Sequence, residues 1–524
     1  MSTISLRVRA LCIAFFFLCL NTAAFAQTPR IDPAGIGGAL LMCGSYQASP
    51  EMFEKFVDLA GGAKAKIVIL TFDKAKYGGP PADLLKAAAM MKDAAEPILI
   101  DYADAKKAFP EATGLWLHVD SISPMRNVMD EGVLRKECHA IVKRGGIIAS
   151  AAAGVRYLGT REMAVNTSPG MNLLPESLIE LRDKNKTSRL PKSWQRWRDI
   201  VGYELDRDAA MLVRGRTISV LGAGAVRVYV PAGNDSGIRE VAIQGKAKED
   251  LTALRRAARD RRERFPAKAP EPPFVEKGTL VIVGGGGQPD NLTKKFVEYA
   301  GGEGKAVIAI FATADKDPLS KRESIAAAFR KAGAKKATVL YDQKQADVES
   351  KRSLDLLKEA TGIWFDGGRQ WRFVDCYENT KALPLMFDVL NRGGVIGGTS
   401  AGATIQGEYL CRGGVFDNYD IRYEGYERGL GFLKGVAIDQ HFTKRKREPE
   451  MTQLMKVYPQ YLGIGIDEAT AIVVKGSIAD VIGKGKVHFY DANRKVENGQ
   501  PDYEALPAGG RYDLKERKVL PGDK

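Results

Sequence analysis

The sequence predicts an α/β protein of two tandem domains, each a parallel sheet with helices on both faces, the first a degenerate copy of the second. Three observations carry this. The chain has 524 residues, more than one hydrophobic core of ordinary size accommodates. Short apolar runs alternate with helical stretches, the pattern of strand–helix–strand units. Segments of the first half also recur in order in the second. Gly38-Ala39-Leu40-Leu41-Met42-Cys43-Gly44 parallels Gly278-Thr279-Leu280-Val281-Ile282-Val283-Gly284, and Ala112-Thr113-Gly114-Leu115-Trp116 parallels Ala360-Thr361-Gly362-Ile363-Trp364. So long a period excludes a solenoid and indicates domain duplication.

In chain order, residues 1–26 read as a signal peptide. Arg7 and Arg9 precede an apolar run, and Ala24-Phe25-Ala26 offers the small residues that signal peptidase requires. A secreted or periplasmic protein with no membrane span after cleavage is expected. The degenerate domain then covers 27–253. A basic helical stretch carrying Arg255, Arg256, Arg259, Arg261, Arg262 and Arg264 follows, then Pro266, Pro270, Pro272 and Pro273. Residues 254–276 therefore read as a linker, its arginines a solvated helix face or a docking patch. In the second domain, 277–492, strands are expected at 279–283, 306–311, 338–341, 362–365 and 395–397. Helices are expected at 291–300, 320–332 and 381–391. Residues 493–524 read as a tail.

Composition narrows the function. Hydrophobic content of 45% and charged content of 27% are those of a globular protein. The net charge of +14 suits a solvated basic surface, an acidic polymer or a membrane surface. No nucleic-acid-binding motif accompanies it. Cys43, Cys138, Cys376 and Cys411 remain after the leader without a C-x-x-C pair and read as buried thiols. No cluster of metal-ligating residues occurs, so neither metal nor cofactor is expected.

Chemistry points to Gly398-Thr399-Ser400-Ala401-Gly402, where a predicted strand enters and a helix leaves. In this elbow a sharp turn lifts the serine hydroxyl clear of the backbone, and the Ala401 N–H faces a developing oxyanion. The first copy supplies a control: Ser150-Ala151-Ala152-Ala153-Gly154 keeps the turn but has Ala152 where Ser400 stands. Only the second domain can use the site. A serine needs a base, and the chain has four histidines, His118, His139, His441 and His488. His488 lies in an apolar strand-like run and reads as structural. His441 follows Ala437-Ile438-Asp439-Gln440, where strand alternation places Asp439 and His441 on one face. His441 is the expected general base.

These blocks resemble cyanophycinase and its relatives, a serine peptidase family that includes aspartyl dipeptidase. The resemblance rests on Gly397-Gly398-Thr399-Ser400-Ala401-Gly402-Ala403, Asp439-Gln440-His441-Phe442 with Arg445 and Arg447, Gly465-Ile466-Asp467-Glu468, and Gly367-Gly368-Arg369-Gln370. It covers Lys277 to about Ala492. It implies a Ser–His–acid hydrolase on a three-layer α/β/α fold similar to class I glutamine amidotransferases, cleaving cyanophycin to β-Asp-Arg dipeptides. It further implies Gly367 and Gly368 in the oxyanion hole, and Gln370, Asp439, Gln440, Arg445 and Arg447 as substrate-binding. Asp417 is the implied orienting acid, with Asp420 as competitor. The chain departs from the family pattern at Glu450, where a further arginine is usual. An aspartyl dipeptidase or other small-peptide or ester hydrolase, and a non-catalytic polymer-binding protein, are the alternatives. The short spacing of Ser400 and His441 counts against an α/β-hydrolase esterase. The Gly284-Gly285-Gly286-Gly287-Gln288 run lacks the lysine of a phosphate loop and reads as a tight turn beside the active site.

Overall fold

The computed structural model describes residues 31–45, 48–71, 86, 88–91, 98–101, 107–119, 132–162, 169–183, 185–233, 236–316 and 323–521. The leader lies outside the described residues. Among them the protein is a mixed α/β structure with four sheets.

The first half contributes β1 (Ala39–Cys43), β2 (Ile67–Thr71), β3 (Ile98–Asp101), β4 (Gly114–His118), β5 (Ile147–Ala151), β6 (Ser177–Leu181), β7 (Val201–Leu205), β8 (Ala209–Arg214), β9 (Thr217–Gly222), β10 (Val226–Val230), β11 (Arg239–Ile243) and β12 (Glu249–Asp250). They form a sheet of order β12-β9-β8-β1-β5-β4-β2-β3 and a smaller one, β11-β10-β7-β6. In the second half, the principal sheet draws on β13 (Val275–Val283), β14 (Val307–Phe311), β15 (Lys336–Leu340), β16 (Gly362–Phe365) and β17 (Val395–Thr399). The smaller sheet begins with β18 (Gly407–Leu410), β19 (Leu433–Gln440) and β20 (Leu462–Ile466). The remaining strands are β21 (Thr470–Gly476), β22 (Ile478–Gly483), β23 (Lys486–Asp491), β24 (Glu504–Pro507), β25 (Arg511–Asp513) and β26 (Lys518–Leu520). The orders are β15-β14-β16-β17-β13-β21-β22-β25-β26 and β18-β19-β20-β23-β24. Pairing is parallel from β15 to β13 and antiparallel beyond.

Alternation along each buried strand explains why both faces are covered. On β13, Leu280 and Ile282 join one apolar cluster, while Val281 and Val283 join another. On β14, Ala309 and Phe311 separate in the same way from Ile308 and Ile310. A strand apolar on both faces must be packed on both, which is why these runs read as continuous apolar stretches. One face receives Phe296 and Phe329 from the helices Leu292–Tyr299 and Glu323–Lys331; the other receives Leu356, Leu357 and Met386. Expected strands and helices of the second half match these to within a few residues.

Two expectations are corrected. Much of the arginine run is no solvated face, although Arg262 and Arg264 are exposed. Arg255 to Arg262 lie in α1 (Leu251–Arg262), whose Leu251, Leu254, Ala257 and Ala258 pack into the first half's core while Ala253 packs into the second's. Asp250 caps its N-terminus by accepting the Ala253 N–H at 2.8 Å. Arg255 pairs with Glu176, Arg256 with Asp375 and Glu378, and Arg259 with Asp260 and Glu378. Residue counting could not reveal this, because Glu176, Asp375 and Glu378 come from distant segments. The segment after residue 493 is likewise not a free tail: β24, β25 and β26 extend the two sheets. All four cysteines among the described residues are buried with free thiols, and no described helix is long and apolar enough to cross a membrane.

Arg256 is 1% exposed at its side chain, so truncating it leaves buried carboxylates without their counter-charge. Arg256→Ala is expected to cost about 3–5 kcal/mol in denaturant unfolding. Burial alone would raise the Glu378 carboxyl, but Arg256, Arg259 and Arg428 bring it down to about 2. Its contribution is therefore full above its ordinary 4.5 and is lost as pH falls toward 2. Acid titration of wild-type stability checks the direction.

Candidate active site

Chemistry-bearing residues collect at the carboxyl ends of parallel strands, where side chains from several loops can converge. Ser400 follows β17, Gly367 and Gly368 follow β16, and the glycine turn follows β13. His441 follows β19, and Glu468 follows β20.

Ser400 has φ +55° and ψ −114°, outside the comfortable range for a residue with a side chain. The strained bend is held by its N–H donating to the Val283 carbonyl at 3.0 Å and by its own carbonyl accepting from Ala403 at 2.9 Å. Close approach requires glycine on both sides. A Cβ on Gly398 would stand 2.4 Å from the Gly402 carbonyl oxygen, and one on Gly402 would stand 2.0 Å from that of Phe365. Ala401 opens the helix Ala401–Thr404, so its N–H belongs to the first turn that intrahelical bonds leave free. Gly367 lies alongside, with space for a Cβ only 3.4 Å from that of Ser400.

His441 is the second strained residue, with φ +51°. Such conformations cost on the order of 1–3 kcal/mol each and persist where surroundings over-determine them. Its N–H donates to the Gly284 carbonyl at 2.8 Å, and its ring lies on Gly285, where a Cβ would approach the imidazole Cε1 to 2.5 Å. The glycine run is thus the floor of the site. Ser400 Oγ and His441 Nε2 are 3.0 Å apart, and His441 Nδ1 is 2.7 Å from Glu468 Oε1. A carboxylate on Nδ1 fixes the tautomer that leaves Nε2 free to accept the serine proton. Burial lowers the His441 pKa below 6.5, aided by Arg445 and Arg447 and opposed by Glu468, so the ring is neutral at neutral pH.

The structure joins Ser400 and His441 as expected and corrects the acid. Asp417 accepts the Tyr419 N–H at 3.2 Å in an exposed loop near Arg369; Glu468 meets the imidazole. Chain order suggested an acid between serine and histidine, yet β20 pairs in parallel beside β19 and brings the later segment to the same edge. The Gly465-Ile466-Asp467-Glu468 block was the available signal. Its Asp467 holds the loop after His441 through the N–H and hydroxyl of Thr443, at 3.1 and 2.7 Å. Burial would raise the Asp467 carboxyl, but the neighbouring His488 imidazole and the hydrogen bonds from Thr443 and Lys486 bring it to about 2. His488, read as structural, is buried in β23 with Nε2 3.7 Å from Asp467.

Alternation of Asp439 and His441 also fails. The strand ends at Gln440, and the positive φ swings His441 toward Ser400 while Gln440 Oε1 remains 3.5 Å from the hydroxyl. Asp439 instead pairs with Arg412 and Arg447. Gln370 is buried and donates to the carbonyls of Cys411 and Arg412 at 2.8 and 2.7 Å. Arg445 is exposed, whereas Arg447 is buried. Among the described residues no group of three or more His, Cys, Asp or Glu is placed to hold a metal.

A serine held against a carboxylate-backed imidazole beside glycine amides has the equipment of a serine-type peptidase. Residues 280–482 match the model of peptidase family S51. The chain is 32% identical over 226 residues to a cyanophycinase of Geminocystis herdmanii, spanning 42% of this chain and 82% of the relative. It is 29% identical over 287 residues to cyanophycinases of Trichormus variabilis and a Nostoc species, spanning 50% of this chain and 96% of each. A solved peptidase from an acI-B1 Actinobacterium is 25% identical with a TM-score of 0.37, covering 46% of this chain and 98% of that one. The protein belongs to peptidase family S51 and is a serine-type peptidase.

The geometry separates the two acids. Glu468→Gln should lower the rate of Ser400 modification by a fluorophosphonate probe on the order of 10²–10⁴-fold, because the tautomer and the charge on Nδ1 are lost. Asp417→Asn should leave it unchanged. The labelling rate of the wild type should also be flat at neutral pH and fall on acidification with a midpoint below 6.5, as protonation of His441 removes the base.

Proposed function

We infer that Ser400, His441 and Glu468 act as nucleophile, general base and orienting acid in hydrolysis of aspartyl-linked peptide bonds in cyanophycin or a related polymer. The observation that carries this is the pair of contacts on one imidazole, 3.0 Å to the serine and 2.7 Å to the glutamate. Ser400 Oγ attacks the scissile carbonyl as its proton passes to Nε2, and the imidazolium is stabilised by Glu468. Amides of Gly367, Gly368 and Ala401 receive the oxyanion. His441 then protonates the leaving amine, and water, deprotonated by the same ring, releases the acyl group from Ser400. The relatives named cyanophycinase support the substrate class, and the family resemblance of the sequence blocks implies β-Asp-Arg dipeptides as product. The exposed Arg445 is suited to a substrate carboxylate.

A second reading, peptidase action on small aspartyl peptides, is favoured by one observation. Asp439 is 0% exposed and already held by two arginines, so it offers no free carboxylate to a substrate guanidinium.

The first half is, in this reading, a degenerate copy on a shared glutamine amidotransferase-like plan. The strand order β3-β2-β4-β5-β1-β8-β9 runs like β15-β14-β16-β17-β13-β21-β22, and Ala152 stands past β5 where Ser400 stands past β17. Domains at 27–253 and 277–492 follow, with export directed by the leader at 1–26.

Incubation with purified cyanophycin and mass analysis of products tests the substrate. Release of β-Asp-Arg by the wild type, abolished in Ser400→Ala, is expected. Cleavage of aspartyl dipeptides with the polymer left intact would establish the second reading.

A further inference from the structure

Beside His441 lies a cluster of charges, most of it buried. Asp439 is fully buried, and Arg412 and Arg447 are 2% and 4% exposed. Arg412 Nε donates to Asp439 Oδ2 at 2.9 Å, its Nη1 to the Tyr419 carbonyl at 2.5 Å, and its Nη2 lies 2.7 Å from Glu450 Oε2. From the other side, Arg447 Nη1 donates both to Asp439 Oδ1 at 2.7 Å and to the Gln440 carbonyl at 2.6 Å. Asp439 Oδ1 also accepts the Gln440 N–H at 2.9 Å.

The Gln440 carbonyl and the His441 N–H belong to one peptide unit. Arg447 holds its oxygen, and the Gly284 carbonyl holds its N–H at 2.8 Å. Because a peptide is planar, fixing both ends fixes the plane from which His441 departs at φ +51°. The orientation of that plane aims the imidazole at Ser400. A free His441 would relax toward negative φ and carry its ring away from the hydroxyl.

We propose that Arg447 is a positioning residue for His441, holding the Gln440–His441 peptide from below with Asp439 as its anchor, and that it does not bind substrate. The proposal rests on His441 being the general base. Glu450 belongs to the same device: its carboxylate completes the charge balance of two arginines on one aspartate. That accounts for an acid at this position, where an arginine would add a third cation to the cluster.

A fluorophosphonate probe separates positioning from substrate binding, because it reacts through Ser400 and His441 and carries no carboxylate for an arginine to meet. Arg447→Gln should slow labelling about 100-fold, the scale set by a displacement near 1 Å at a reacting pair. Arg447→Lys, which keeps a cation and a donor against Asp439, should recover much of that loss and serves where the glutamine variant does not fold. In peptide hydrolysis the loss should fall on kcat, with KM within about twofold of wild type. Labelling of Arg447→Gln at the wild-type rate, or a raised KM with kcat kept, would overturn the proposal. Ser400→Ala and His441→Ala identify the other failure: labelling that survives in either overturns the reading of the site itself.

Discussion

Three consecutive carbonyls at the end of β13 organise the site. Val283 accepts the N–H of Ser400, Gly284 that of His441, and Gly285 that of Ala469, the residue after Glu468. Ser400, His441 and Glu468 follow three strands in two sheets, yet each is registered against one stretch of backbone. Side-chain packing alone leaves rotamer freedom, whereas a bonded peptide leaves little. The turn must also let the imidazole and the Glu468 side chain approach to contact distance. Gly285 has φ +90° beneath the ring, and a Cβ on Gly286 would stand 2.3 Å from the Glu468 carboxyl carbon. Any side chain at either position would both strain the backbone and occupy the space of a reacting or orienting group.

Such a template holds only if the two sheets of the second half cannot shift against each other. Ser400 hangs from the principal sheet and His441 from the smaller one, so a small relative movement breaks the 3.0 Å contact. Apolar packing between them includes Leu433, Val436, Ile438, Leu462, Ile464 and Ile466 in the same cluster as Leu280 and Ile282. The charges of α1 add a directional element to that packing. Arg256 meets Asp375 and Glu378 beside β16, while Arg261 meets Glu424 on the segment leading into β19. Buried ion pairs contribute little net stability, but they penalise sliding strongly, since displacement leaves desolvated charges unmatched.

Much of this was legible in the sequence where a local rule had no competitor. The strands around the elbow were readable because continuous apolar runs bounded by glycines admit few other structures. Ser400 was readable because the elbow glycines serve close approaches that other residues prevent. The carboxylate that meets His441 was not, because it depends on β20 lying parallel to β19, a pairing that no local pattern encodes. Asp439 was misplaced for a related reason: alternation assumes that a strand continues, and here it stops one residue before the histidine. The arginines of α1 looked solvated because charge runs usually are, and the carboxylates that meet Arg256 lie more than a hundred residues away.

Two of those misreadings concern residues whose placement costs free energy in isolation: a fully buried Asp439, next but one to the positive φ of His441, and a buried Arg256. Propensity rules favour the cheapest local state, so they fail where long-range contacts hold the chain in a more expensive one. The first half sharpens the point. There β5 ends at Ala151, and Ser150 is buried with its hydroxyl donating to the Leu117 carbonyl at 3.1 Å. Ser150 satisfies its backbone neighbour, while Ser400 presents its oxygen to an imidazole. The same residue type near the end of a buried strand bonds to backbone in one half and meets an imidazole in the other. What differs is the presence of a strained histidine whose backbone is bonded from both sides, and that constraint separates a glycine-rich turn from an active site.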